Sequence, residues 1–136
     1  MDGKGSLPGR HEIPDKFKWR LEDIYPSNEE WEKDFQQIQA MLSEVESFRG
    51  RLGLSARTLL KALELDARLR ELNEKVFVYA RMRRDEDNTN PVYQALTDRA
   101  ESLSAGVQAA LSFLAPEILA LPEEVLERYR REESGL

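Results

Sequence analysis

Tyr79-Ala80-Arg81-Met82-Arg83-Arg84-Asp85-Glu86-Asp87-Asn88-Thr89-Asn90-Pro91-Val92-Tyr93-Gln94 is the stretch whose reading decides the fold. Leading into it, Leu69, Leu72, Val76 and Tyr79 recur at steps of three and four, which places them on one face of a helix. Val76-Phe77-Val78-Tyr79-Ala80 is apolar on every side and in isolation would also suit a buried strand. Its flanks, rich in Leu, Glu, Arg and Ala, favour the helix. Asp87-Asn88-Thr89-Asn90 then interrupts the pattern. Pro91 follows where a first helical residue has no N–H to leave unpaired. The segment therefore reads as the end of one long helix, a polar turn and the start of another.

Working outward from that turn, Ser55 is placed to cap a helix from Ala56 to about Glu86, a rod of roughly 45 Å at 1.5 Å per residue. Gly50 and Gly53 bracket the short turn before it. Further upstream, Ser27-Asn28-Glu29-Glu30 has the form of a capping box, in which the Ser27 hydroxyl and the Glu30 carboxylate each reach a free backbone N–H. Trp31, Phe35, Ile38, Met41, Leu42, Val45 and Phe48 form the apolar stripe of the helix that begins there, and Glu29 with Lys33 is an i,i+4 pair in the favourable order. Downstream of the turn, Val92, Leu96, Ala100, Leu103, Val107, Ala110, Leu111 and Leu114 make a third stripe, which Pro116 is expected to end. A weaker helical stretch runs from Pro122 to Glu132. No repeat or low-complexity tract is present.

The amino-terminal part reads differently. Residues 1–12 are glycine-rich with little to bury, which suggests a flexible tail ahead of a helical domain spanning 13–136. Between Ile13 and Pro26, Phe17, Trp19 and Leu21 alternate, a period of two that suits an extended arm. Leaving such side chains in water forfeits about 1.5 to 3 kcal/mol each, so the arm is expected to dock across the helices, with Ile24 and Tyr25 as further anchors. The expected fold is all-α: an antiparallel bundle of long helices with an extended N-terminal arm.

Composition narrows the classes of function. The 136 residues suffice for one domain. Their formal charge of -6 disfavours nucleic acid and anionic lipid as partners. The absence of cysteine removes disulfides and thiolate metal sites and fits a reducing, cytoplasmic setting. No signal-like start and no run of about 20 apolar residues is read, so neither export nor membrane insertion is indicated.

The candidate sites are few. His11-Glu12 begins like the H-E-x-x-H zinc motif, but position 15 is Asp and His11 is the only histidine, so two imidazoles cannot meet on one ion. Asp85 to Asn90 offers alternating oxygen ligands like a calcium loop, yet Asn90 stands where the loop needs glycine and Leu96 where it needs a bidentate glutamate. A hydrated turn is the better reading. Arg81, Arg83 and Arg84 carry guanidinium forks suited to a carboxylate or phosphate, beside acids that would neutralise them. Trp19, Trp31 and Tyr79 read as core and interface anchors. Catalytic residues: none. Metal ligands: none. Substrate-binding residues are unknown at this stage.

Trp19-Arg20-Leu21-Glu22-Asp23-Ile24-Tyr25 with Glu30-Trp31, Phe48-Arg49-Gly50-Arg51-Leu52, Tyr79-Ala80-Arg81-Met82, Asp85 to Gln94, and Ala110-Leu111-Ser112-Phe113-Leu114 with Pro116-Glu117-Ile118 carry, in this order and spacing, a resemblance. The chain resembles the amino-terminal helical region of oligoendopeptidase F, a zinc metallopeptidase family related to thimet oligopeptidase. The resemblance implies an intracellular parent enzyme that hydrolyses short peptides in an enclosed cavity, of which these helices form a wall or lid. It also implies zinc for the parent, whose ligands and catalytic glutamate match no residue here. The implied partners are the catalytic domain and short peptides. A chain that leaves apolar surface uncovered at Val76 to Ala80 is further expected to self-associate. The rival readings are a free-standing helical protein-interaction module and a self-assembling bundle.

Overall fold

The computed structural model describes residues 7–136, so the first half of the expected tail lies outside the described residues. Five helices follow one another: α1 (Asn28–Glu46), α2 (Ala56–Glu86), α3 (Pro91–Leu111), α4 (Leu114–Leu119) and α5 (Glu123–Glu132). No strand occurs among the described residues.

Each long helix starts on the side chain the sequence supplies. Ser27 Oγ accepts from the Glu30 N–H at 3.3 Å, Ser55 Oγ from the Thr58 N–H at 3.0 Å, and Asn90 Oδ1 from the Val92 N–H at 2.9 Å. The reciprocal half of the first capping box is not made. The Glu30 carboxylate turns to Lys33 Nζ at 2.8 Å, which also takes Lys33 away from the expected partner Glu29. The ammonium one turn along gives Glu30 a charge-assisted partner in place of a backbone amide.

α1, α2 and α3 pack on one another around a single core. Contacts near their ends give the directions. Asn28 bonds Tyr79 and Trp31 bonds Val76, so α1 and α2 run antiparallel; Asn73 meets Ser104 and Ala80 meets Thr97, so α2 and α3 do too. Trp31, Ile38, Leu69, Val76 and Val107 fill the interior, all essentially inaccessible. Thr97, the buried polar residue, donates its hydroxyl proton toward the Ala80 and Tyr93 carbonyls, so it leaves no orphan group. Of the apolar ring at 76–80, Val76, Tyr79 and Ala80 are buried and Val78 is 39% exposed.

The third stripe ends before Pro116. α3 stops at Leu111, the chain turns through Ser112 and Phe113, and Pro116 sits in the first turn of α4, where its missing N–H has no intrahelical acceptor to lose. Pro91–Leu119 passes for a membrane span by length and composition, with a window of mean hydropathy 1.2, although no such stretch was read from the sequence. Leu96, Ala100, Leu103, Val107 and Leu111 on its inner face are buried in the bundle.

The turn between α1 and α2 is held from a distance. Gly50 takes a left-handed φ of 74°, a conformation glycine adopts without steric cost. The Glu117 carboxylate of α4 then accepts from the Gly50 N–H at 2.5 Å and the Leu52 N–H at 3.0 Å. Tyr129 of α5 donates its hydroxyl proton to the Gly53 carbonyl at 2.7 Å.

The expected extended arm is not extended. Residues 10–23 form three short 3-10 turns, Arg10–Glu12, Asp15–Phe17 and Leu21–Asp23. With no strand beside it, an extended backbone would leave its amides without partners, and i→i+3 bonds such as Lys18 N–H to the Asp15 carbonyl at 3.0 Å satisfy them locally. Docking is likewise partial. Leu21 and Tyr25 are buried, whereas Phe17 is 70% and Trp19 61% exposed.

Candidate functional site

The densest polar constellation lies where the amino-terminal turns meet the end of α2. Tyr79, buried on α2, donates its hydroxyl proton to Asn28 Oδ1 at 2.9 Å and accepts from Arg83 Nε at 3.1 Å. The Arg83 guanidinium continues to Glu86 Oε2 at 3.1 Å and lies over the rings of Tyr79 and Tyr93. Glu86 is almost wholly buried, its side chain 3% exposed, and its other oxygen is 2.7 Å from Arg10 Nη2. That approach is a charge contact without hydrogen-bond alignment, so Oε1 is the one buried side-chain oxygen, among the described residues, with no directed donor. A carboxylate out of water needs compensating charge, and two guanidiniums provide it. One comes from the preceding turn of α2 and the other from the amino-terminal segment. Arg83 and Arg84 also favour the negative end of the helix dipole.

Beside this network is an open cleft of about 1050 Å³, with Arg10, His11 and Lys18 on one side and Asp85 to Thr89 on the other. Its chemistry is that of charge pairing. It holds no thiol and no hydroxyl–imidazole pair, and no three His, Asp or Glu side chains converge on a metal-sized point among the described residues.

The residues singled out from sequence are dispersed. His11 is exposed on the first 3-10 turn, next to Glu12, whose carboxylate accepts from the Gly9 N–H at 2.6 Å. One imidazole and a carboxylate committed to the backbone do not fit a zinc site. The oxygens of the Asp85–Asn90 turn serve the backbone: Asp87 Oδ1 accepts from the Thr89 N–H at 3.0 Å and hydroxyl at 2.6 Å, and Asn90 caps α3. The Thr89 hydroxyl and N–H hold the Asp87 carboxyl below its ordinary range. Of the three arginines, Arg83 is internal, Arg81 is exposed with its guanidinium over Phe77, and Arg84 lies 3.7 Å from Asp85. Trp31 and Tyr79 are core anchors; Trp19 is not. The Tyr25 hydroxyl donates to Asp34 at 2.6 Å, and burial, followed by that carboxylate, pushes the phenol well above its usual range. The buried Glu86 and its Arg10 contact went unread, since nothing in local spacing links residue 10 to residue 86.

Among the described residues the polar side chains are engaged in internal ion pairing and helix capping, and the class they define is an all-α helical domain. No protein-family model matches the chain. Oligopeptidase PepF of Bacillus subtilis (strain 168) is 37% identical over 130 residues, covering 96% of this chain and 19% of the relative. The plasmid-encoded oligoendopeptidase F of Lactococcus lactis subsp. cremoris is 35% identical over 121 residues, covering 88% and 20%. The crystal structure of oligoendopeptidase-F from Enterococcus faecium superposes with a TM-score of 0.73 at 34% identity, covering 79% of this chain and 21% of that one. The chain corresponds to the amino-terminal helical region of the oligoendopeptidase F family. It spans about a fifth of the length of the relatives it matches.

Proposed function

We propose that the chain is the amino-terminal wall of an oligoendopeptidase F-like peptidase: a part that bounds the cavity and admits short peptides while the reaction takes place on residues elsewhere in the parent. The observation that carries this reading is the alignment of 96% of the chain, at 37% identity, with an amino-terminal fifth of a named peptidase. The fold supports it, because a long rod such as α2, braced on both sides, gives a surface that excludes bulk protein without deforming. The zinc generally used by the family would supply a Lewis acid in the parent, and the donor set of the described residues here does not fit one. A cytoplasmic setting for the parent is part of the proposal, supported by the absence of cysteine from this sequence.

The test uses the Bacillus subtilis relative with and without its matched amino-terminal region, on a short quenched peptide and on a long unfolded protein. Removing the wall is expected to leave the short peptide cleaved and to open the enzyme to the long chain. A shortened enzyme that folds, cleaves the peptide and still refuses the long chain overturns the wall role. The isolated 136-residue chain is expected to hydrolyse neither substrate; chelator-sensitive turnover by a clean sample would count equally against the proposal.

A further inference from the structure

Phe17 and Trp19 stand out from the surface of this protein as neighbouring exposed aromatics. The large exposed apolar residues of the helices and their turns, Leu54, Val78, Val92 and Leu119, are well separated along the chain, and Leu7 lies in the amino-terminal segment itself. Here two rings, 70% and 61% exposed, border a groove of about 230 Å³ whose apolar rim also includes Pro8 and Ile13. The segment is two-faced by construction: Leu21 and Tyr25 hold it to the bundle while Trp19 faces away.

We propose that this platform seats the stretch of polypeptide that follows this region in the full-length relatives. The inference rests on the wall reading above and adds to it the seam by which the wall is fixed. Two observations select this occupant. First, the charges around the rings are already balanced: Arg10 contacts Glu86, Lys18 contacts Asp15 and Arg20 lies 3.7 Å from Asp23. Lys16 is over the Phe17 ring itself. A surface so balanced suits an apolar helix face rather than an ionic partner. Second, the platform is small. Two aromatics bury about 150 to 250 Å² each, so what remains exposed here is on the order of 250 Å². Stable association of separate molecules takes roughly 800 Å² per partner. A second copy of the chain is therefore poorly served by it. A tethered segment, present at an effective concentration of about millimolar, needs no more. The relatives have that segment, since about four-fifths of their length lies beyond the match.

The chain contains no cysteine, which makes the test direct. The Phe17→Cys variant is prepared as the isolated chain and also joined at residue 136 to the part of the Bacillus subtilis relative that follows its matched region. The rate of maleimide labelling at position 17 is read by peptide mass spectrometry, and peptidase activity is measured alongside. Labelling is expected to be fast in the isolated chain and slower by about tenfold or more in the joined protein, with Trp19→Cys behaving alike. Equal rates in both overturn the seat, whether or not the joined protein is active. Slowed labelling in a joined protein that cleaves the long unfolded protein as readily as the short peptide supports the seat while removing the wall reading. Protection in the isolated chain that grows with its concentration assigns the platform to a second copy, and protection there independent of concentration assigns it to the chain's own first residues; either result overturns the proposal.

Discussion

Trp31 shows how much a single side chain does here. Its ring has no exposure, lies 5.2 Å from Phe35, and donates Nε1–H to the Val76 carbonyl of α2 at 2.9 Å. Trp31→Phe removes that hydrogen bond and leaves a small void, so a loss of about 1 to 3 kcal/mol is expected. Guanidinium denaturation checks it: the midpoint should fall with the slope unchanged, and an unmoved midpoint would show that the bond contributes nothing net. One helix away, Arg99 grips both oxygens of Glu32 at 2.7 Å and lies over the Phe35 ring. Hydrogen bonding to Arg99 holds the Glu32 carboxyl below its ordinary value of 4.5. A carboxyl with a lower pKa folded than unfolded stabilises the fold above its unfolded value and loses that contribution as the pH falls through the folded one. Both partners are more than a third exposed, so solvent screening keeps the gain to about 1 kcal/mol or less. Stability measured from neutral pH down through the region below 4.5 should therefore fall less steeply in Arg99→Ala than in the parent chain. Parallel acid limbs would refute the linkage.

At the scale of elements, Ser27→Ala is expected to cost about 0.5 to 2 kcal/mol. The lower half of that range is favoured, since the cap bond is long at 3.3 Å and Glu30 gives it no reciprocal support. Thermal unfolding followed by circular dichroism reads it, and an unchanged transition would mean that the first turn of α1 is satisfied by water. The Ser27 and Ser55 caps were legible beforehand because a cap acts on an N–H two or three residues further along, within reach of local spacing. So were the stripes of α1, α2 and α3. The amino-terminal segment was misread for a related reason: alternation describes side chains, while the backbone of that segment had no neighbouring strand to pair with. Pro116 misled in a similar way, since a proline ends a helix only from its interior, and the chain had already turned at Ser112. Arg10 with Glu86 and Glu117 with Gly50 left no trace in local pattern, being groups brought together only by the closed bundle.

For the molecule as a whole, burial of most of the 76–80 ring and the small area of the Phe17–Trp19 platform lead to the expectation of a monomer at micromolar concentrations. Sedimentation across a hundredfold range would check this, and a dimer at the dilute end would show that a surface larger than the platform is in use. The fold was readable at this scale because helical periodicity and helix-start signals agreed along α1, α2 and α3; the candidate cluster was not, because it is assembled from three separate parts of the chain. The Glu117 clamp has a temporal side. A ribosome delivers α1, the Gly50 turn and α2 long before it delivers residue 117, and the amides of Gly50 and Leu52 must wait in water for their acceptor. The hairpin is thus made early and locked late, so the order of synthesis leaves its first joint the last to set.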